Sequence, residues 1–182
     1  MRIIAGIYRG RVLKSPPDGK TRPTSDRLRE TLFNILAPSI GSHTRFLDLC
    51  AGTGAIGMEA LSRGAAFVTF VDRSKKACAL IEENLDKLGV PESETEVQNL
   101  TAENFTGRDH KYGWDLAYFD PPYDSDYLIV LHEFGTRDLL RASGTLIAEH
   151  HAKTRMPETV GSLRRWRVLK QGETSLSFYE NA

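Results

Sequence analysis

Two cysteines in 182 residues exclude a good deal at once. Cys50 and Cys78 have no CxxC partner, so neither a disulfide framework nor a zinc site is expected. Two free thiols in a reducing cytoplasm are the plain reading. Long apolar runs are missing as well: no stretch approaches the roughly 20 residues a membrane span requires. Met1-Arg2-Ile3-Ile4-Ala5-Gly6 has none of the design of a signal peptide. A cytoplasmic chain that does not meet a membrane is therefore expected. Excess charge of one sign is absent too. Lys and Arg total 24, Asp and Glu total 24, and a net charge of zero argues against a generic nucleic-acid coat. The pair His150-His151 has no cysteine or acidic cluster to complete a metal site, so no metal is expected there and a solvated strand end is. Repeats and low-complexity segments are also lacking. What is present is ordinary: 40% hydrophobic and 26% charged residues, in a length that suits one domain with a real core.

The charge is balanced but unevenly spread. Up to position 30, Arg2, Arg9, Arg11, Lys14, Lys20, Arg22, Arg27 and Arg29 face only Asp18, Asp26 and Glu30, a net of +5. A second basic cluster follows late: Lys153, Arg155, Arg164, Arg165, Arg167 and Lys170, opposed only by Glu158. Two basic patches on a neutral chain point to a local anionic partner surface, with phosphates held by Arg2, Arg9, Arg11, Lys14, Arg27, Arg29, Arg164, Arg165 and Arg167.

Along the chain, Arg2–Ala5 and Arg11–Lys14 flank a turn and read as a hairpin. Such a two-stranded piece is marginal alone and must lean on the rest. Residues 15–22, with Pro16, Pro17, Asp18 and Gly19, read as a loop. Thr24 is a plausible cap for a helix whose stripe is Leu28, Leu32, Ile35 and Leu36, with Arg27 and Arg29 off the stripe and Pro38 and Gly41 ending it. From 45 to 149, strands and helices alternate. The strands are Arg45–Cys50, Phe67–Val71, Glu96–Leu100, Trp114–Phe119 and Gly144–Glu149; the clearest helix runs from about Lys75 to Leu88 and stops at Gly89. A further helix over 126–140 should be broken or capped at Gly135. The end reads as a hairpin around Gln171-Gly172, its last strand alternating Leu176 and Phe178 with Ser175, Ser177 and Tyr179 as a half-buried strand would. The fold class is α/β: a Rossmann-like, doubly wound, mostly parallel sheet with a C-terminal antiparallel hairpin and an N-terminal β-hairpin extension. The expected division is an extension and loop over 1–21 and the main domain over 22–182.

Two stretches carry chemistry. Gly52, Gly54 and Gly57 match GxGxxG after a strand and before a helix, and Asp72 ends the next strand where an acidic residue binds a ribose. That pattern alone suggests a nicotinamide dinucleotide. Asp48 argues otherwise, because a carboxylate aimed at the turn repels a pyrophosphate but suits a ligand with ammonium and sulfonium centres. S-adenosylmethionine has both and still has a ribose for Asp72, so it is favoured over NAD. Ala51, Gly52, Thr53 and Gly54 form the loop. Thr101 would lie along the adenine or, equally, cap the next turn. The second stretch is Asp120-Pro121-Pro122-Tyr123 at the end of the fourth strand. A nucleobase amino group is a poor nucleophile until hydrogen-bond acceptors draw it toward tetrahedral geometry. The Asp120 carboxylate and the Pro121 carbonyl are such acceptors, the prolines fix their aim, and Tyr123 can stack on the base.

Asp48-Leu49-Cys50-Ala51-Gly52-Thr53-Gly54 resembles the S-adenosylmethionine loop of class I methyltransferases, and Asp120-Pro121-Pro122-Tyr123 resembles the catalytic motif of amino-methyltransferases. Arg22-Pro23-Thr24 with Arg29-Glu30-Thr31-Leu32-Phe33-Asn34 is similar to the signature of the RsmD family, as are the N-terminal residues and Ala60–Ala65. The resemblance spans essentially the whole chain. It implies an S-adenosylmethionine-dependent guanine-N2 methyltransferase of small-subunit ribosomal RNA, acting on an assembled or partly assembled subunit. It also implies that Arg22, Pro23 and Thr24 close over the cofactor. The rival readings are an adenine-N6 DNA methyltransferase, an NAD oxidoreductase and a non-catalytic RNA-binding assembly factor.

Overall fold

A computed structural model of the chain describes residues 1–16, 25–122 and 125–182. Of the residues singled out above, Arg22, Pro23, Thr24 and Tyr123 lie outside the described residues, as does most of the 15–22 loop. Five strands run parallel: β1 (Arg45–Leu49), β2 (Phe67–Val71), β3 (Thr95–Gln98), β4 (Trp114–Phe119) and β5 (Leu140–His151). Three more, β6 (Thr159–Val160), β7 (Leu163–Gln171) and β8 (Thr174–Asn181), extend the sheet in antiparallel fashion. The order is β3-β2-β1-β4-β5-β8-β7-β6. The chain builds outward from β1 to β3, then crosses back to lay β4 on the other side of β1. That reversal opens a crevice at the carboxyl ends of β1 and β4, where open α/β sheets hold ligands.

The parallel strands feed two cores, one on each face. Phe46, Phe70, Leu116 and Tyr118 pack under α1 (Asp26–Leu36), α2 (Ala55–Ser62) and α3 (Lys75–Leu88). Leu47, Leu49, Ala117 and Phe119 pack under α4 (Ala102–Thr106) and α5 (Tyr127–Thr136). Burial on both sides is why these strands read as continuous apolar runs. Helix α3 matches its expected limits, with Ser74 accepting from the Ala77 N–H and Gly89 closing it at φ 72°.

Elsewhere tertiary packing changed the outcome. The cap of α1 is Ser25, whose side chain accepts from the Leu28 N–H, and the buried stripe includes Phe33 and Arg29. The N-terminal hairpin forms no strands; Arg2↔Val12 is an isolated bridge. Its backbone is pinned to the helices instead. Buried Glu59 of α2 accepts from the Ile4 and Ala5 N–H groups at 2.8 and 3.0 Å, and Asn84 of α3 accepts from the Lys14 N–H at 2.7 Å. Ile3 and Leu13 are buried in the core beneath α1 to α3. Strand β5 is longer than expected and begins at Leu140. Gly135 neither breaks nor caps α5; it lies inside the helix, where an added Cβ would stand 2.1 Å from the Val160 carbonyl oxygen of β6. Strand β8 is buried on both faces from Thr174 to Tyr179, because Leu176 and Phe178 enter one core and Tyr179 the other.

Candidate active site

Strand β1 delivers Asp48 and then the turn. Cys50, Gly52 and Gly54 all hold positive φ, at 62°, 55° and 74°. That tight path carries the chain from strand to helix and leaves open space above Gly52, where an added Cβ would meet nothing within 4 Å. Gly54 occupies the N-cap of α2 and has no side chain with which to cap it. Asp48 reaches in from below and accepts from the Gly57 N–H at 2.9 Å, so the strand's carboxylate does the capping that the turn cannot. Asp48 is 2% exposed, and burial, helped by the nearby Asp72 charge, pushes its carboxyl up to about 8 against the lowering effect of that hydrogen bond.

Asp72, at the end of β2, splints the same turn. One of its carboxylate oxygens accepts from the Gly52 N–H at 2.9 Å and the other from the Ser74 N–H at 2.8 Å. Each oxygen keeps a further lone pair for a ligand hydroxyl. Thr53 is buried and turns toward the N-terminal segment: its hydroxyl lies 4.0 Å from the Met1 sulfur, and Asn84 donates to its carbonyl. Ala51 sits within the turn, its N–H donating to the Val71 carbonyl. Thr101 caps α4, accepting from the Asn104 N–H at 3.2 Å, which leaves its hydroxyl proton to be donated elsewhere.

Asp120 follows β4 across the crevice, and its N–H donates to the Leu49 carbonyl of β1 at 3.3 Å. Pro121 is buried and Pro122 exposed, and the Pro122 carbonyl accepts the Ser125 N–H, closing the turn into α5. Electrostatically the two motifs form one place. The Cys50 thiol is pushed far up by burial and then by the charges of Asp72, Asp120, Glu103 and Asp48. The carboxylates of Asp72, Asp120 and Glu103 act together at the turn, so its field attracts a cation and opposes a phosphate. Among the described residues no group of three His, Cys, Asp or Glu could hold a metal ion. No described helix is long and apolar enough to cross a membrane.

The basic residues divide. Arg2, Arg9, Arg11 and Arg27 are exposed, and three of them help line a cleft of about 390 Å³. Arg2, Arg9 and Arg27 stand there beside Asp26 and Glu30, next to the segment whose Met1 meets the cofactor turn. Lys14 is exposed and paired with Glu83 at 2.7 Å. Arg164 and Arg167 stand exposed on β7 with Trp166 between them. Arg29 corrects the expectation: it is 0% exposed, bonded to the Arg2 carbonyl at 2.6 Å and to Asp26 at 2.9 Å, with Glu59 at 4.0 Å. No phosphate reaches a guanidinium there. Arg165 is a tie as well, donating to the Met156 carbonyl at 2.8 Å and only partly exposed. His150 is likewise no solvated strand end. It is 4% exposed, bonded to Ser177 at 2.9 Å, and burial lowers its pKa.

Sequence reasoning passed over Glu59 and Glu149. Glu59 is a lone charge inside the otherwise apolar Ala55–Leu61 run, a signal that was available. Glu149 lies near the end of β5 and accepts from the Tyr118 hydroxyl.

The family described as Conserved hypothetical protein 95 matches residues 1–180. The Bacillus subtilis protein named "Putative rRNA methyltransferase YlbH" is 36% identical over 183 residues, covering 99% of this chain and 98% of that protein. "Ribosomal RNA small subunit methyltransferase D" of Haemophilus influenzae is 40% identical over 124 residues, covering 68% of this chain and 64% of that protein, just under two thirds of its length. Among solved structures, "Putative methyltransferase yhhF from Escherichia coli" superposes with a TM-score of 0.88 at 33% identity, over 100% of this chain and 97% of that one.

Proposed function

Because the chain belongs to the Conserved hypothetical protein 95 family, which is the RsmD family of S-adenosylmethionine-dependent methyltransferases, we propose that it transfers a methyl group to the exocyclic N2 of a guanine in small-subunit ribosomal RNA. The observation that carries this is the pair of carboxyl groups, Asp48 and Asp72, bonded to one glycine-rich turn at the switch point of the sheet, with Asp120 tied to the end of β1 beside it. The donor set fits the cofactor: an anionic field for ammonium and sulfonium, Asp72 for ribose hydroxyls, and open space above Gly52. The same field opposes the pyrophosphate of NAD.

When bound, S-adenosylmethionine supplies an electrophilic methyl on a sulfonium. The chain's residues prepare the nucleophile. A guanine splayed from an RNA loop enters the crevice, at an unstacking cost of a few kcal/mol. Tyr123 stacks on it, and Asp120 and the Pro121 carbonyl accept hydrogen bonds from N2. With the methyl donor bound, N2 would shed its proton to Asp120 or to water as it is alkylated. Positioning supplies up to about 7–11 kcal/mol in favourable cases. By the family resemblance, Arg22, Pro23 and Thr24 are assigned to the cofactor-binding set. Arg2, Arg9, Arg11, Arg27, Arg164 and Arg167 hold phosphates and set register without reading sequence. An assembled or partly assembled subunit presents the base.

The test is incubation with labelled cofactor and unmethylated small subunits, naked ribosomal RNA or DNA, followed by digestion to nucleosides, with Asp120→Ala alongside. Label in N2-methylguanosine from ribosomal substrate, lost in the variant, is expected. Label in DNA adenine would move the protein to the other branch of amino-methyltransferases. No transfer despite cofactor binding would refute the substrate assignment.

A further inference from the structure

Trp166 is a large aromatic side chain that the fold leaves 45% exposed, and the mechanism above gives it no part. Its place follows from a bulge. Along β8, Phe178 enters the core beneath α1 to α3 and Tyr179 the opposite core, so Glu180 turns back to the face of Phe178. Arg164 pairs with Glu180, Arg165 with Tyr179 and Arg167 with Phe178, which leaves Trp166 as one extra residue in β7 between the last two pairs. A regular strand would have turned Arg167 to the other face. The bulge instead gathers Arg164, Trp166 and Arg167 on the face of Phe178. The Trp166 ring rests against the Phe178 ring, with centroids 5.5 Å apart and planes inclined at 52°. Phe178 is fully buried, so the indole is backed by the core on one side and open to solvent on the other. Arg164 and Arg167 are exposed, and among the described residues no ion pair holds either of them, not even to Glu180 across from Arg164.

An exposed indole between two guanidinium groups fits a partner with flat rings and negative charge. Single-stranded nucleic acid has both: bases stack on an aromatic ring whatever their sequence, and the phosphates beside them answer the arginines. A second copy of this chain fits poorly, because it would bring arginines against arginines. We propose that Trp166 is a stacking platform for an unpaired base of the substrate RNA, with Arg164 and Arg167 on the adjoining phosphates. This rests on the reading of RNA as the substrate above. In the sheet β7 stands three places from β4, whose end carries Asp120; at about 4.8 Å per strand that is roughly 14 Å. The base on Trp166 is therefore not the base that reacts. It is a neighbour in the same folded RNA, and stacking it fixes how that RNA is laid across the sheet. Trp166 is a positioning residue: it sets affinity and register and leaves the chemical step to the crevice.

The test reads tryptophan emission and steady-state kinetics. The chain has two tryptophans and Trp114 is 3% exposed, so a change in emission on adding RNA reports Trp166. An oligoadenylate of about eight nucleotides should quench the wild-type emission and shield it from acrylamide. An abasic ribose-phosphate chain of the same length has the charge without the bases; it should bind more weakly and leave the emission unchanged. Trp166→Leu keeps an apolar cover over Phe178 but cannot stack, and Trp166→Phe can. On whichever ribosomal substrate the wild-type protein methylates, small subunit or naked RNA, Trp166→Leu should raise KM about fivefold to a hundredfold. Its kcat and its affinity for S-adenosylmethionine should be unchanged, and Trp166→Phe should recover most of the loss. Should Trp166→Leu not fold, the wild-type emission with the two oligomers decides. Equal quenching by both oligomers, no quenching by either, or a wild-type KM in folded Trp166→Leu would overturn the platform and leave the methyl-transfer reading intact. Shielding that grows with protein concentration in the absence of RNA would also overturn it, assigning the face to a second copy. Failure of the wild-type protein to bind or methylate any RNA would overturn both.

Discussion

Asp48→Asn separates the protonation of a buried carboxylate from its hydrogen bond. Asn keeps an oxygen that can accept the Gly57 N–H, at the 2.9 Å now spanned by Asp48, and removes the charge. The folded-state carboxyl sits at about 8 and the ordinary value is 3.8, so the fold favours the protonated form. The sign follows: this group's contribution is fully present below about pH 4 and is lost as pH rises through about 8. Each unit of pH inside that window removes about 1.4 kcal/mol. Between about pH 5.5 and pH 8.5 the wild-type chain should therefore lose about 3 kcal/mol that Asp48→Asn keeps, a large part of the stability of an ordinary domain. At 2% exposure there is little solvent to screen the effect. Urea unfolding of both proteins without cofactor, at the two pH values, measures it, because every other titrating group is common to both. The variant should already be the more stable at the lower pH, by about 2 kcal/mol, and the gap should widen by about 3 kcal/mol at the higher. Parallel stability curves would refute the reasoning, since they would mean that Asp48 titrates alike in folded and unfolded chains.

Other consequences can be checked directly. Cofactor binding should release a proton from the wild-type chain between about pH 6 and 8, since a bound cation lowers the Asp48 pKa; calorimetry in two buffers of different ionisation enthalpy should show this, and Asp48→Asn should not. Gly57→Ala places a Cβ 2.3 Å from the Phe70 ring and should destabilise by about 1–3 kcal/mol, read as a lower urea midpoint. Glu59→Gln keeps one acceptor oxygen but turns the other into an amino group facing an N–H donor, and it removes the charge beside Arg63 and buried Arg29; it should cost about 3–5 kcal/mol and speed hydrogen exchange at the Ile4 and Ala5 amides. Arg9→Ala with Arg27→Ala should weaken RNA binding and reduce its salt dependence, with cofactor affinity unchanged, whereas Arg29→Ala should act through stability.

Much of the architecture was determined by local pattern. The apolar runs at Arg45–Leu49, Phe67–Val71 and Trp114–Phe119 read as parallel strands because each faces a core on both sides. Gly89 and Gly54 read as turn positions because positive φ favours glycine. The cofactor turn and Asp120-Pro121-Pro122 were legible for a related reason: their chemistry is carried by neighbours in sequence. What tertiary structure decided concerns residues whose partners lie far along the chain. Arg29 looks like a surface arginine on α1 until Glu59 of α2 and the Arg2 carbonyl enclose it. The last strand looks half-buried until a core closes on each of its faces, and His150 looks solvated until Ser177 meets it. That Asp48 also caps α2 shows only when the Gly57 N–H comes within its reach. Periodicity reports which way a side chain points within its own element; what it meets there depends on which elements the fold stacks against it.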